Sequence, residues 1–168
     1  MKAFSLTLPA LLLCTGNLFA QIDYPDDFSE PMPLYEEALG DFTRDISSNN
    51  EEAQAYFNQG YQMMYAFAKG DAARSFYVSR QKDPECAICW WGEAWTWGPY
   101  LNGGMRDSEA PRAYAAIQEA LRLSKISATE KERAIIEATA VRYVEDYENS
   151  NRSALDSAYA DAMKEVYE

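Results

Sequence analysis

From residue 51 onward, apolar side chains return every three or four positions, a period that predicts a succession of helices. The first spans about residues 51–68, where Phe57, Tyr61, Met64 and Tyr65 share one face. Gly70 is placed to end it and Asp71 to cap a second helix, which runs to about Gln81 before the Asp83-Pro84 break. The third, about 85–97, closes at Gly98-Pro99. A connection containing Gly103 and Gly104 follows over 100–107. Ser108 or Asp107 then caps a fourth helix with Pro111 in its first turn. Ser127-x-x-Glu130 and Thr129-x-x-Glu132 both read as capping boxes for a fifth helix, continuing to about Tyr147. Asn149 to Asn151 turns the chain, and Ser153-x-x-Asp156 opens a sixth helix that stays in register through Ala158, Ala162 and Val166.

The N-terminal part follows neither the helical nor the strand period. Residues 1–20 read as a secretory signal: Lys2, an apolar run through Leu6, Leu8, Leu11 and Leu13, then Ala20 before Gln21. That run is too short to span a bilayer, and its removal leaves no inserted segment. Cys14 leaves with it. Residues 21–46 form an acidic leader, with Pro25, Pro31 and Pro33 among Asp23, Asp26, Asp27 and Glu30, and predict an extended, solvated chain. One short helix is expected over 34–39, stopped by Gly40, and Ser47 to Asn50 supplies the N-cap of the first long helix.

Counting from Ala53, Tyr56, Gly60, Ala72, Phe76 and Pro84 fall at positions 4, 8, 20, 24 and 32. Those are the aromatic, small, small, aromatic and proline places of a repeat of about 34 residues, and the chain resembles the tetratricopeptide repeat family. The two small residues let antiparallel helices cross closely, and the two rings fill the space beside the crossing. A second register from Ala87 puts Trp90 and Ala94 at positions 4 and 8, and Ala113, Ile117 and Ala120 continue it once seven extra residues are allowed in its hairpin turn. The resemblance implies an all-α fold of about six helices, in hairpins stacked as an α-α superhelix. Its repeats would lie at about 53–86, 87–127 with the inserted loop, and a divergent 128–168, within a helical domain of residues 47–168. Since an array of this kind needs a polar terminal cap, the C-terminal end is expected to continue into further chain.

Several strings look more narrowly like a group of exported bacterial tetratricopeptide proteins of undefined role. They are Glu52 to Gly60, Tyr65-Ala66-Phe67, Cys86 to Gly92, Gly98-Pro99, Arg133 to Glu137 and Ala158 to Met163. That likeness implies a periplasmic or extracellular location. The group is expected to carry histidines before and at the end of the first long helix, where this chain has Phe42-Thr43-Arg44 and Ala68-Lys69.

Composition narrows the chemistry. Of 168 residues, 27 are acidic and 15 basic, for a net charge of -12, which argues against nucleic acid or an anionic membrane as partner. Histidine is absent, which removes Ser-His-Asp, Cys-His and HExxH chemistry together. No catalytic residue, metal set or cofactor is identified, and no enzymatic activity is expected.

In the tetratricopeptide family the inner groove is lined by positions 2, 5, 9, 12 and 13 of each first helix. By that resemblance the partner-binding groove here is Gln54, Phe57, Tyr61, Met64, Tyr65, Ile88, Trp91 and Trp95. An aromatic groove suits a protein or peptide segment, because buried aromatics dominate binding energy. The family's clamp for a C-terminal carboxylate uses Lys and Asn where Phe57 and Tyr61 stand, so that mode is not expected. The same face is equally consistent with core covered by the leader or by later helices. Cys86-x-x-Cys89 has three readings: a disulfide or simple packing, a soft-metal site, or thiol-disulfide chemistry. Glu93, set among four tryptophans, needs a partner such as Arg74 or Arg106. The expected function is an exported scaffold that binds a protein or peptide. The alternatives are a periplasmic metal or redox protein built on Cys86 and Cys89, and a purely structural module of a longer repeat protein.

Overall fold

The computed structural model describes residues 22–35 and 37–168, so the signal expected over 1–20 lies outside the described residues. Six α-helices follow a short 3-10 turn at Asp26–Ser29: α1 Glu51–Tyr65, α2 Lys69–Lys82, α3 Ala87–Trp97, α4 Ala110–Ser127, α5 Glu130–Ala140 and α6 Arg152–Tyr167. The described residues are all-helical apart from one isolated bridge between Tyr100 and Gly103. None of these helices is long and apolar enough to cross a membrane.

Each helix packs against the next in sequence, and α1 also touches α3, and α3 touches α5. The odd-numbered helices therefore share a layer. What brings α1 and α3 together is the Phe76 ring of α2. It is fully buried between two glycines: a Cβ on Gly92 would collide with Phe76 Cδ1, and one on Gly60 would lie 2.9 Å from Cδ2. Phe57 meets the same ring edge-on, with centroids 5.3 Å apart.

The helix ends differ from expectation in instructive ways. Helix α1 stops at Tyr65, because Phe67 adopts φ 64° and turns the chain while its N–H bonds Met64 O. Gly70 thus lies inside α2, and Asp71 is in its first turn rather than at its cap. Helix α5 ends at Ala140 and not near Tyr147. Tyr143 instead enters the core, where its hydroxyl donates to Ala94 O at 3.0 Å beside Gly98, whose missing side chain makes the room. The Thr129/Glu132 capping box forms. The described residues of 34–39 make a turn rather than a helix, since the Tyr35 N–H goes to Gln59 Oε1 at 2.8 Å. The leader is not solvated throughout. Met32 is buried, its carbonyl accepting from the Tyr56 hydroxyl at 2.7 Å, and Phe28 stacks on Trp97 at 5.5 Å.

Gly92→Ala tests the Phe76 clamp. Overpacking outweighs the helix-propensity gain, and a net loss of about 2 kcal/mol is expected in urea unfolding, with m unchanged. Phe76→Leu in that background should cost less than the two changes summed separately.

Candidate peptide-binding face

Helix α1 carries amides at four-residue spacing, Gln54, Asn58 and Gln62, along one edge of the aromatic stripe. All three grip an extended stretch of the leader. Gln62 Nε2 donates to Phe42 O at 2.7 Å. The Arg44 N–H donates to Asn58 Oδ1 at 3.0 Å, and Arg44 O accepts from Gln54 Nε2 at 2.8 Å. The Ile46 N–H donates to Gln54 Oε1 at 3.0 Å. Residues 42–46 therefore run antiparallel to α1, bonded at every second residue. Gln59 extends the grip to the earlier leader, donating to Pro33 O at 2.9 Å. Past Ile46, the Ser47 N–H reaches Glu132 Oε1 of α5 at 2.9 Å, so residues 42–47 cross the layer from α1 to α5.

The rings expected to line a groove are gathered here. Trp91 and Trp95 stack at 5.4 Å and 21°, Tyr61 lies 5.5 Å from Trp95, and Tyr65 lies 5.4 Å from Tyr61. The eight expected residues are not equally open. Phe57, Met64 and Ile88 are fully buried, and Trp91 is 7% exposed, with its indole N–H on Thr139 Oγ1 at 2.8 Å. Gln54, Tyr61 and Trp95 are half-buried, and Tyr65 is 64% exposed. The reachable part of the face is thus Tyr61, Tyr65 and Trp95. The leader adds Phe42, stacked on Tyr61 at 5.6 Å and 16°, and Arg44, whose guanidinium carbon lies 5.5 Å from the Tyr61 ring and 5.7 Å from Trp91. The Tyr65 hydroxyl is pushed up to about 12, first by hydrogen bonding with Tyr61 and then by burial. Asn58, Gln62 and residues 42–46 had no place in the expected groove. The repeated amide at Gln54, Asn58 and Gln62 was the signal that would have shown them.

Three other constellations have partners already. Cys86 and Cys89 are joined by a disulfide with Cα atoms 5.4 Å apart, and both are buried. In that form neither sulfur offers a thiolate to a metal, and among the described residues no three Asp, Glu, His or Cys gather. Glu93 is fully buried, and its partner is Arg80, not Arg74 or Arg106. Arg74 turns instead to the carbonyls of Glu30 and Pro31, at 3.3 and 3.2 Å. The Tyr24 hydroxyl donates to Glu93 Oε1 at 2.6 Å, and Trp97 Nε1 to the same oxygen at 3.3 Å. Arg80 stacks on Trp90 at 3.9 Å and Tyr77 at 4.5 Å. Burial works to lower the Arg80 pKa, but Glu93 and Tyr24 overcome it and hold it above the usual value, while burial and then Glu93 raise that of Tyr24. Finally, a cleft of about 480 Å³ beside the 100–107 loop contains Lys69, Arg106 and Glu109. Burial lowers the Lys69 pKa, and the amine is committed to Gly98 O at 3.2 Å and Glu109 Oε1 at 3.4 Å.

Compared with protein-family models, curated proteins and solved structures, the chain matches none.

Arg80→Met should cost about 3–5 kcal/mol in urea unfolding, because it leaves the Glu93 carboxylate buried without a counter-charge. Adding Glu93→Leu should recover part of that loss. A double variant no more stable than the single one would show that the pair is not the reason. The raised Tyr24 pKa has a separate consequence. Above its ordinary value of 10.0 the unfolded chain has released this proton and the folded chain has not, so stability should fall as pH rises through that range. Tyr24→Phe should flatten the alkaline fall of the urea midpoint relative to the wild type.

Proposed function

We propose that this chain is an exported scaffold of the tetratricopeptide type, in which a concave aromatic face holds an extended segment of another protein and no reaction is performed. The observation that carries this reading is the pairing of two features on one face. A partly open row of rings, Tyr61, Tyr65 and Trp95, lies beside an amide row that already binds the backbone of an extended segment. Rings supply affinity through apolar burial, and side-chain amides supply direction. Export is supported by the signal-like residues 1–20 and suits the Cys86–Cys89 disulfide.

A purely structural role is favoured by a different observation: residues 42–46 cover part of the face, as a permanent wall would. The metal reading loses support because the two sulfurs are joined to each other, and the redox reading because both are buried away from an attacking thiolate.

Probing an array of short synthetic peptides with alternating aromatic and polar residues separates the first two. The mature chain should retain a subset of them. Tyr65→Ala combined with Trp95→Ala should weaken retention by about tenfold or more, as loss of hot-spot aromatics does, with little change in helical circular dichroism. Unchanged retention by the double variant, or no peptide retained by the wild type, overturns the reading.

A further inference from the structure

The contacts to residues 42–46 have a period that explains itself. Four residues of α-helix rise about 6 Å, and two residues of extended chain advance about 6.6 Å. Gln54, Asn58 and Gln62 are spaced by four, and the residues they hold, Ile46, Arg44 and Phe42, by two. Helix and strand thus keep step over three successive sites. Each bond goes to a main-chain N–H or C=O, so the amides would hold any extended segment with the same spacing, whatever its side chains. The alternation of the held segment divides its residues: Thr43 and Asp45 are exposed, while Arg44 and Ile46 are half-buried toward the helices and Phe42 lies on Tyr61. Three inward positions therefore meet defined surfaces. The first has an aromatic ring to stack on, the second lies across the Tyr61 and Trp91 rings, where a cation is favoured, and the third packs against the core cluster.

We infer that the ligand of this face is an extended peptide of the pattern aromatic-x-basic-x-aliphatic, running antiparallel to α1, and that Phe42-Thr43-Arg44-Asp45-Ile46 is its intramolecular stand-in, which the ligand displaces. This rests on the peptide-binding reading above and specifies its partner. The stand-in is built for release. Its first residue is 55% exposed, and Asp41 and Thr43 beside it are exposed as well. The α1 cap does not depend on it, since Asn50 Oδ1 accepts from the Ala53 N–H at 3.0 Å and Asn50 Nδ2 donates to Lys82 O at 2.9 Å. Residues 42–46 can leave without unwinding the helix. Self-occupancy lowers the apparent affinity for a free peptide by the fraction of molecules whose face is closed.

The test uses a synthetic peptide copying residues 41–48, titrated into the mature chain and into its Phe42→Ala/Arg44→Ala variant, with tryptophan emission as readout. The peptide contains no tryptophan, so the signal comes from the protein. The variant should bind at least about ten times more tightly than the wild type. A peptide of the same composition with the alternation scrambled should bind neither. Equal affinity for both chains overturns the inference. So does binding to neither chain while capture through Tyr65 and Trp95 persists on the array, an outcome that leaves the peptide-binding reading standing. Loss of both signals removes that reading as well. Hydrogen exchange in the wild-type chain provides a measurement independent of the variant. Excess peptide should expose the Arg44 and Ile46 amides to exchange while α1 remains protected, and unchanged protection of those two amides at saturating peptide overturns displacement.

Discussion

One aromatic ring held between two glycines sets the spacing of this molecule. Phe76 belongs to α2, but its ring lies close against the backbones of α1 at Gly60 and α3 at Gly92. Interiors are close-packed, and a methyl group at either position would have to displace the ring or a helix. The consequence reaches the far side of the layer. With α1 and α3 one ring apart, Tyr61 on one and Trp95 on the other come to 5.5 Å, and the row from Phe42 through Trp91 becomes a continuous aromatic surface. The candidate face is in this sense a product of the core beneath it.

The leader then fastens that layer from two directions. On α3, Glu93 is two residues from both Trp91 and Trp95, so at about 100° per residue it points to the opposite side of the helix from them. Tyr24 closes on Glu93 at that side, and Phe42 to Ile46 lie against the tryptophan side. The two fastenings differ in kind. The first is a buried carboxylate and guanidinium enclosed by rings, where loss of one member strands a charge. The second is a set of neutral hydrogen bonds at a half-open surface, each worth about 1 kcal/mol net and replaceable by water. The first is enclosed and the second open to water, which is the division of labour that the proposed displacement requires.

The helices were legible in the sequence because their apolar period and their punctuation agree. Pro84 sits in the break between α2 and α3, and Pro111 and the Thr129/Glu132 box sit where the chain begins a helix. The misplacements have local causes that periodicity does not encode. Tyr143 fell inside a fifth helix expected to continue to about Tyr147, yet one hydroxyl bond to Ala94 O and the space left by Gly98 draw it inward and end α5 early. Arg80 was passed over as the partner of Glu93 because nothing in a linear reading brings α2's last turn against the middle of α3. The candidate face was half legible. Its rings follow the helical period, but the leader was read as solvated from its prolines and acids, and a segment held by side-chain amides leaves no period of its own.

Amides are the side chains suited to this task. A strand offers N–H and C=O groups in alternation, and a Gln or Asn can answer either, as Gln54 does by donating to Arg44 O and accepting from the Ile46 N–H. A carboxylate could only accept and a lysine only donate, so either would bind half of the pattern and leave the other half unpaired. Serine and threonine hydroxyls do both but reach less far from the helix. A row of amides therefore fixes the direction and register of an extended chain without reading its sequence. Under the proposed reading discrimination falls to the rings of Tyr61, Trp91 and Trp95, where one position out of step turns the inward residues outward. In the proposed complex a chain whose net charge is -12 would gain further from a cation at the ligand's central position. In the proposed complex affinity and register come from different side chains, the rings of α1 and α3 and the amide row of α1, which lets the rings vary while the amides keep the backbone in place.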